Sequence, residues 1–211
     1  VPQMSDITSR SQVDISSRLG TREFSLPILS SPMDTVTGGA MTWTMGSMGG
    51  LGILHRYCSI DDQVDMAHEQ SAAAVGITGD YLERVDILKK FGVKIFCLDV
   101  AHGHHKLMKD ALQKLRDKHG DSITIIAGNV ATSQGYADLS EWGADAVRIC
   151  IGGGSICSTR IQTGHGVPTF QSVLDCRDVD GATIIADGGI RTAGDIVKAL
   201  AAGADFVMLG S

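Results

Sequence analysis

Short apolar runs alternate with longer amphipathic stretches along this chain of 211 residues. Eight of the runs are too short for helices, and several are rich in β-branched residues, which is typical of strands buried on both faces. The predicted strands cover residues 26–30, 50–55, 72–77, 94–100, 123–128, 146–151, 183–186 and 206–210.

Most of the intervening stretches have the spacing of amphipathic helices and end at a glycine. Four predicted helices cover residues 81–91, 106–119, 133–142 and 192–202, followed by Gly92, Gly120, Gly143 and Gly203. Ser133 and Thr192 are suitable N-caps for the last two of them.

The repetition of strand, helix and glycine predicts an α/β fold in which crossover helices join parallel strands. Eight such units favour a (β/α)8 TIM barrel with all eight strands present, and a doubly wound sheet is the structural alternative. We therefore expect a single barrel over residues 1–211.

Two connections depart from this regular pattern. The eighth strand reaches the end of the sequence, so the final helix and any flap beyond it are expected to lie outside this chain. A helical stretch at residues 60–70 runs almost directly into the strand at 72–77, which leaves no room for a turn. We expect a missing loop or an excised insertion near residues 70–72.

The charge and composition of the chain disfavour several classes of protein. Eighteen Lys and Arg against 24 Asp and Glu give a net charge of −6, which disfavours nucleic-acid binding. No stretch approaches the roughly 20 apolar residues of a membrane helix, and the first residues lack a secretory pattern. Five dispersed cysteines disfavour a disulfide scaffold and favour the reducing cytoplasm.

Glycines follow the last three predicted strands, at residues 152–154, 188–189 and 210. In such barrels the functional groups lie on the loops after the strands, and glycines there let backbone N–H groups approach an anion. This pattern indicates a phosphate site, to which the hydroxyls of Ser155 and Ser211 would add donors. The alternative is that the glycines only turn the chain. No P-loop and no dinucleotide-binding glycine fingerprint follows a strand.

Cys157 is a candidate nucleophile because it lies in a polar, glycine-rich loop. The neighbouring Arg160 and backbone N–H groups would stabilise its thiolate. By contrast, Cys97 and Cys150 fall in predicted strands, where we expect small core residues.

Asp99 and Asp187 each end a predicted strand. A carboxylate in that position can bind two ribose hydroxyls, and the alternative is a cap on a helix N-terminus. The cluster of His102, His104 and His105 lacks the spacing of zinc ligands, so we expect it to make loop and helix N-terminal hydrogen bonds.

Five segments are similar to those of the IMP dehydrogenase / GMP reductase family, and the resemblance covers nearly the whole chain. They are residues 30–37, 49–55, 127–130, 154–160 and 186–191. The loop with Cys157 and Thr159 is the most specific of them. The resemblance implies a catalytic (β/α)8 barrel, usually assembled as a homotetramer, that acts on a purine nucleoside monophosphate in the cytoplasm.

The resemblance implies that Cys157 attacks the purine at C2 to form a covalent adduct, with Thr159 as a proton-transfer partner. In a dehydrogenase, the adduct of IMP gives a hydride to NAD and water releases XMP. In a reductase, GMP loses ammonia and the hydride arrives from NADPH.

Further residues acquire roles from the same resemblance. The implied substrate-binding residues are Ser31, Met33, Arg148, Ser155, Asp187, Gly188, Gly189, Gly210 and Ser211, with Asp187 on the ribose. The implied cofactor-binding residues are Asp99, Asn129 and Gly152. The carbonyls of Gly152, Gly154 and Cys157 match a site for a monovalent cation, expected to be K⁺.

The chain departs from the family pattern at Cys150, where Gly is usual, and at Gly153, where Pro or Ser is common. We expect Cys150 to crowd the nicotinamide side. Residues 33–37 and 188–191 favour a dehydrogenase, whereas the absence of a regulatory insertion favours a reductase. NAD-dependent oxidation of IMP is therefore the main expectation and NADPH-dependent GMP reduction the alternative. An FMN-dependent barrel oxidase and a non-catalytic nucleotide-binding protein are further alternatives.

Overall fold

Eight parallel strands close on themselves into a barrel in this computed structural model, which describes residues 4–210. The strands of this region are β1 (Ser17–Leu19), β2 (Arg22–Phe24), β3 (Ile28–Ser30), β4 (Leu51–Leu54), β5 (Ala72–Val75), β6 (Ile95–Asp99), β7 (Thr124–Val130), β8 (Ala146–Ile149), β9 (Thr183–Asp187) and β10 (Phe206–Leu209). Strands β3 to β10 follow one another around the barrel, and β10 pairs with β3 to close it. The predicted (β/α)8 barrel is confirmed, and an open doubly wound sheet is excluded.

Helices cover the outside of the barrel and connect its strands. They are α1 (Gly39–Ser47), α2 (Ile60–Met66), α3 (Tyr81–Lys90), α4 (Lys106–His119), α5 (Ser133–Glu141), α6 (Thr159–Thr163), α7 (Thr169–Cys176) and α8 (Ala193–Ala202). Single 3₁₀ turns lie at Arg10–Gln12 and Gly120–Ser122. All four helices predicted between a strand and a glycine are present, as α3, α4, α5 and α8.

The helix starts follow the local sequence, with one correction. Thr192 is the N-cap of α8 as predicted, since its hydroxyl accepts the Asp195 N–H at 3.2 Å and the Asp195 carboxylate accepts the Thr192 N–H at 3.1 Å. The prediction of Ser133 as an N-cap is wrong, because Ser133 is the first residue of α5. Thr132 caps this helix instead: its backbone is extended, with φ of −124°, and its hydroxyl accepts the Gly135 N–H at 3.1 Å.

The connection before β5 is longer than the sequence suggested. Helix α2 ends at Met66 because Ala67 takes an extended backbone conformation, so residues 67–71 form a turn. The Ser71 hydroxyl donates to the His68 carbonyl at 2.6 Å and accepts the His68 N–H at 3.1 Å. The expectation that no room remains for a turn is therefore wrong. A missing loop or an excised insertion near residues 70–72 stays a prediction.

Small side chains occupy part of the barrel interior. Ala72, Ala74, Cys97 and Ala146 are buried there beside larger aliphatic residues. Cys97 is thus a core residue, as expected. A second and larger cluster lies between the strands and the surrounding helices, where most of the apolar surface is buried.

A hairpin of β1 and β2, which the sequence analysis did not predict, covers one end of the barrel. Its buried Leu19 and Phe24 belong to the interior cluster. The ring of Phe24 packs edge-on against that of Phe206, with the centroids 5.7 Å apart. Because Phe206 is the first residue of β10, the hairpin lies at the amino-terminal ends of the strands.

We predict that Phe24→Ala lowers the free energy of unfolding by about 3–5 kcal/mol, because it removes a buried ring from the end of the core. Urea denaturation of the variant and the wild type measures the difference. Phe91→Ala is the matched control: this ring is 61% exposed, so we expect a loss below about 1 kcal/mol. Equal losses in the two variants would show that the hairpin does not complete the core.

Candidate active site

A cleft opens at the carboxyl-terminal ends of the barrel strands. It consists of two cavities of about 660 and 680 Å³. They are continuous, because both are lined by Ser31, Met33, Gly154, Ile156, Asp187 and Gly188. The first cavity also contains Asp99, Asn129, Arg148, Gly152, Cys157 and Thr159, and the second contains Ser155, Gly189 and Gly210. Every predicted site residue that the structure describes therefore borders one cleft, and Ser211 lies outside the described residues.

The loop that carries Cys157 is closed at its base. Ile151 and Val167 pair as an antiparallel bridge, with the Val167 N–H donating to the Ile151 carbonyl at 3.0 Å. The aliphatic part of Arg160 lies over Gly152, where a Cβ atom would come within 2.6 Å of its Cγ. Cys157 is half-buried, and its N–H donates to the Gly154 carbonyl at 3.1 Å. The thiol is thus presented to the cleft from a short loop with a fixed base.

A buried guanidinium connects the strands beneath this loop. Arg148, on β8, donates to Asp99 Oδ1 at 2.5 Å and to Asp187 Oδ2 at 2.9 and 3.2 Å. The Asn129 side-chain amide donates to the same Asp187 oxygen at 2.8 Å. The three described hydrogen bonds to the Asp187 carboxylate therefore all reach Oδ2, and its Oδ1 is the oxygen that remains for a ligand.

The charges in this cluster stabilise one another. Burial alone would lower the pKa of the Arg148 guanidinium, but the neighbouring charges, Asp187 first, outweigh it and raise the pKa above its ordinary value. Burial also raises the pKa of the Cys97 thiol to about 12, so Cys97 is a neutral neighbour. Arg148 stays a permanent cation between two carboxylates.

The alternative role for Asp99 and Asp187, a cap on a helix N-terminus, is not observed, because neither residue is the N-cap of a described helix.

The second cavity has the features of an anion site. Gly188 and Gly189 both take a positive φ, of 85° and 78°, and a Cβ atom on Gly188 would lie 2.9 Å from the Gly154 nitrogen. Glycine at 188 thus lets the two loops approach closely. Thr192 and Ala193, at the start of α8, line the same cavity, so the positive end of this helix faces it.

Two cationic side chains of the cleft were not among the predicted site residues. The guanidinium of Arg191 donates to the Ser155 hydroxyl at 3.3 Å, beside the anion site. Arg56 follows β4 and lines the first cavity, where its buried Nε lies 3.7 Å from Asp99 Oδ2 and has no hydrogen-bond partner among the described residues. Their positions in the loops that follow β4 and β9 were the signal that would have identified them.

The histidine cluster makes structural contacts. The His105 side chain caps α4 by accepting the Leu107 N–H at 3.1 Å, and His104 Nε2 lies 2.7 Å from Asp138 Oδ2. The predicted loop and helix-capping roles are therefore observed for these two residues. Across residues 4–210, no group of three or more His, Cys, Asp or Glu side chains is arranged to hold a metal ion. None of the helices in this region has both the length and the apolar character needed to cross a membrane.

We predict that Arg148→Met lowers the free energy of unfolding at pH 8 by about 3–5 kcal/mol, because Asp99 and Asp187 lose their shared cation in a buried place. Urea denaturation of the variant and the wild type measures this loss. Lys198→Met, which removes an exposed ion pair to Asp195, should cost less than about 1 kcal/mol. A loss for Arg148→Met no larger than that for Lys198→Met would contradict the role assigned to Arg148.

Comparisons with known proteins agree with this geometry. The sequence matches the IMP dehydrogenase / GMP reductase domain over residues 1–211. An inosine-5′-monophosphate dehydrogenase of Halalkalibacterium halodurans is 51% identical over 142 residues, which are 66% of this chain and 29% of that protein. A GMP reductase of Mesoplasma florum is 32% identical over 219 residues, covering 100% of this chain and 68% of that protein.

A solved structure is similar over the whole chain. The crystal structure of inosine 5′-monophosphate dehydrogenase from Legionella pneumophila superimposes with a TM-score of 0.93 at 44% identity, covering 100% of this chain and 66% of that one. The chain thus spans less than two thirds of this relative and less than a third of the Halalkalibacterium protein. With the family domain matched from end to end, the chain belongs to the IMP dehydrogenase / GMP reductase family.

Proposed function

We propose that this chain is the catalytic barrel of an enzyme that oxidises IMP to XMP with NAD. The observation that carries the proposal is that the Cys157 thiol and a glycine-lined anion site border one continuous cleft. A purine nucleotide has its reactive ring and its phosphate at opposite ends, which matches the two cavities. Over the whole chain, the identity of 44% to the solved dehydrogenase of Legionella pneumophila, against 32% to a protein named as a reductase, supports the direction of oxidation.

The second cavity would bind the phosphate and orient the nucleotide. Backbone N–H groups of Gly189 and Gly210, the Ser155 hydroxyl and the cation of Arg191 surround this end of the cleft. Asp187 Oδ1 would accept from the ribose hydroxyls, because Oδ2 is already engaged by Arg148 and Asn129. Ser31, Met33 and Gly188, which border both cavities, would contact the purine and ribose between them.

Cys157 would carry the covalent chemistry. Its thiolate attacks C2 of the purine, a C–S bond forms, and the hydrogen at C2 leaves as a hydride. Water then bonds to C2, the C–S bond breaks, and the thiolate is regenerated with release of a proton and XMP. Thr159, which lines the same cavity, would take the proton from the water. The adduct divides one difficult displacement into two easier steps.

The first cavity fits a nicotinamide ring beside the nucleotide. Its volume of about 660 Å³ extends from Cys157 to Asp99 and Asn129, and the unpartnered Arg56 Nε supplies a donor there. Asp99, Asn129 and Gly152 would hold the cofactor. When bound, NAD supplies the acceptor for the hydride.

A monovalent cation also fits the Cys157 loop. The carbonyls of Gly152, Gly154 and Cys157 form a donor set of neutral backbone oxygens, which suits K⁺. The Gly154 carbonyl already accepts the Cys157 N–H and has a second lone pair for an ion. A bound K⁺ would supply positive charge that fixes these carbonyls and hence the loop.

Reductive deamination of GMP with NADPH is the second candidate. The match to the Mesoplasma florum GMP reductase supports it, because that match covers the whole chain. Family membership leaves the FMN-dependent oxidase without support. A binding protein without catalysis would use the same anion site but form no bond to Cys157.

We further propose a homotetramer in the cytoplasm, with residues 1–211 as one catalytic unit. Exposed Met41 and Trp43 on α1, and the exposed Met48 at its C-cap, give this part of the surface an apolar character suited to a subunit contact. All five cysteines are free, which fits a reducing compartment. A missing loop or an excised regulatory insertion near residues 70–72 remains part of this proposal.

We predict that the full-length protein with IMP, NAD and potassium increases the absorbance at 340 nm, because NADH forms. Cys157→Ala should lower this rate about 10³-fold or more while IMP still binds, since only the nucleophile is lost. Cys58→Ala, a half-buried cysteine outside the cleft, is the matched control and should keep its activity.

A parallel assay with GMP and NADPH separates the two candidates. A fall at 340 nm in that assay, without a rise in the first, would replace the dehydrogenase by the reductase. No change in either assay, with IMP bound, would favour the non-catalytic nucleotide-binding protein.

A further inference from the structure

The sulfur of Cys150 lies under the Cys157 loop. Cys150 directly follows β8 and is only 6% exposed. Its Sγ accepts the Gly153 N–H at 3.2 Å and the Thr169 hydroxyl at 3.6 Å. It therefore bonds to the loop that leads to Cys157 and to the first residue of α7. Cys150 also lines the first cavity, so the expectation that it crowds the nicotinamide side stays a prediction.

This sulfur and the Thr169 hydroxyl together occupy the space that a side chain at position 153 would need. A Cβ atom on Gly153 would lie 2.3 Å from Thr169 Oγ1 and 2.9 Å from Cys150 Sγ. Gly153 does not have a positive φ, so its backbone accepts other residues and lack of space is what demands glycine. Cys150 and Gly153, the two departures from the family pattern, are thus in direct contact, and the sulfur is one of the two groups that leave room only for glycine at position 153.

The Cys150 thiol is suited to this structural role. Burial, together with the charge of Asp187, raises the pKa of the thiol, so it is neutral at physiological pH. A neutral thiol sulfur is a weak acceptor and a poor nucleophile. Cys150 therefore supports the loop without competing with Cys157 for the purine.

The contact extends to Cys157 through two adjacent backbone groups. Gly153 donates its N–H to the Cys150 sulfur, and the next residue, Gly154, accepts the Cys157 N–H at 3.1 Å. A Cβ atom on Gly154 would lie 3.3 Å from Cys157 Cβ, so this backbone runs alongside the nucleophile. A displacement of Gly153 would consequently move the Cys157 thiol.

We propose that Cys150 and Gly153 are a coupled pair of positioning residues that hold Cys157 in its attacking position. The proposal rests on the proposed function in taking Cys157 as the nucleophile. Each residue requires the other. A side chain larger than glycine at position 153 would collide with the Cys150 sulfur. Without that sulfur, the Gly153 N–H would lose its hydrogen-bond acceptor.

A double-mutant cycle on the full-length enzyme tests the coupling. Cys150→Gly removes the sulfur, and Gly153→Ala introduces the Cβ atom that has no space. We expect each single variant to lower kcat about tenfold with little change in KM. The double variant should lose less than the product of the two single losses, because Cys150→Gly relieves one of the two close contacts of the added methyl group and leaves the contact with the Thr169 hydroxyl.

Conservative and distant substitutions serve as controls. Cys150→Ser keeps an acceptor for the Gly153 N–H and should retain at least about a third of the wild-type kcat. Cys58→Ala should leave kcat unchanged. Single variants with wild-type kcat, or a double variant whose loss equals the product of the single losses, would overturn the proposal.

A measurement without turnover separates this proposal from the proposed function. The rate at which iodoacetamide alkylates Cys157, followed by peptide mass spectrometry, reports the position of the thiol even if IMP is not oxidised. We expect the single variants to change this rate about tenfold and the double variant to change it by less than the product of the two single effects. Equal rates in all four proteins would overturn the coupling, whereas failure of the absorbance assay alone would overturn only the proposed reaction.

Discussion

The guanidinium of Arg148 is the interaction on which the carboxyl-terminal end of the barrel depends. It joins β8 to Asp99 on β6 and to Asp187 on β9, and Asn129 on β7 completes the cluster. Four consecutive strands thus have their ends connected by one buried cation. Because two carboxylates would repel each other there without it, the position of the Asp187 oxygen that we propose for the ribose follows from Arg148 as much as from Asp187 itself.

Above this cluster, the loops after β8 and β9 are held together because their backbones pack closely against each other. Gly188 packs against Gly154, and Cys150 fills the gap beneath Gly153. The proposed anion site and the Cys157 thiol therefore depend on the same two loops. A change that separates the loops would alter the shape of the anion site and the position of the thiol together.

The sequence predicted those features that local patterns encode. All eight barrel strands follow from continuous apolar runs, and Cys157 stands out because it lies in a polar loop rather than in such a run. The cap of α5 was misassigned because Thr132 and Ser133 are adjacent and both are good N-caps. The β1–β2 hairpin was missed because strands of three residues are too short to show a period.

Contacts between distant residues left no local signal. Arg148 and Asp99 are 49 positions apart, so their pairing depends on the closure of the barrel. The link between Cys150 and Gly153 spans three positions, yet it was equally hidden. The sequence shows two unusual residues, but only the direction of the Cys150 side chain shows that they are in contact.

The β1–β2 hairpin at the amino-terminal end of the barrel determines the side from which ligands can reach the cleft. With Phe24 and Leu19 closing that end, the described part of the barrel admits ligands from the opposite face alone. The proposed nucleotide and cofactor would then enter and leave on the same face, so a contact at the far end of the barrel determines the direction from which both are exchanged.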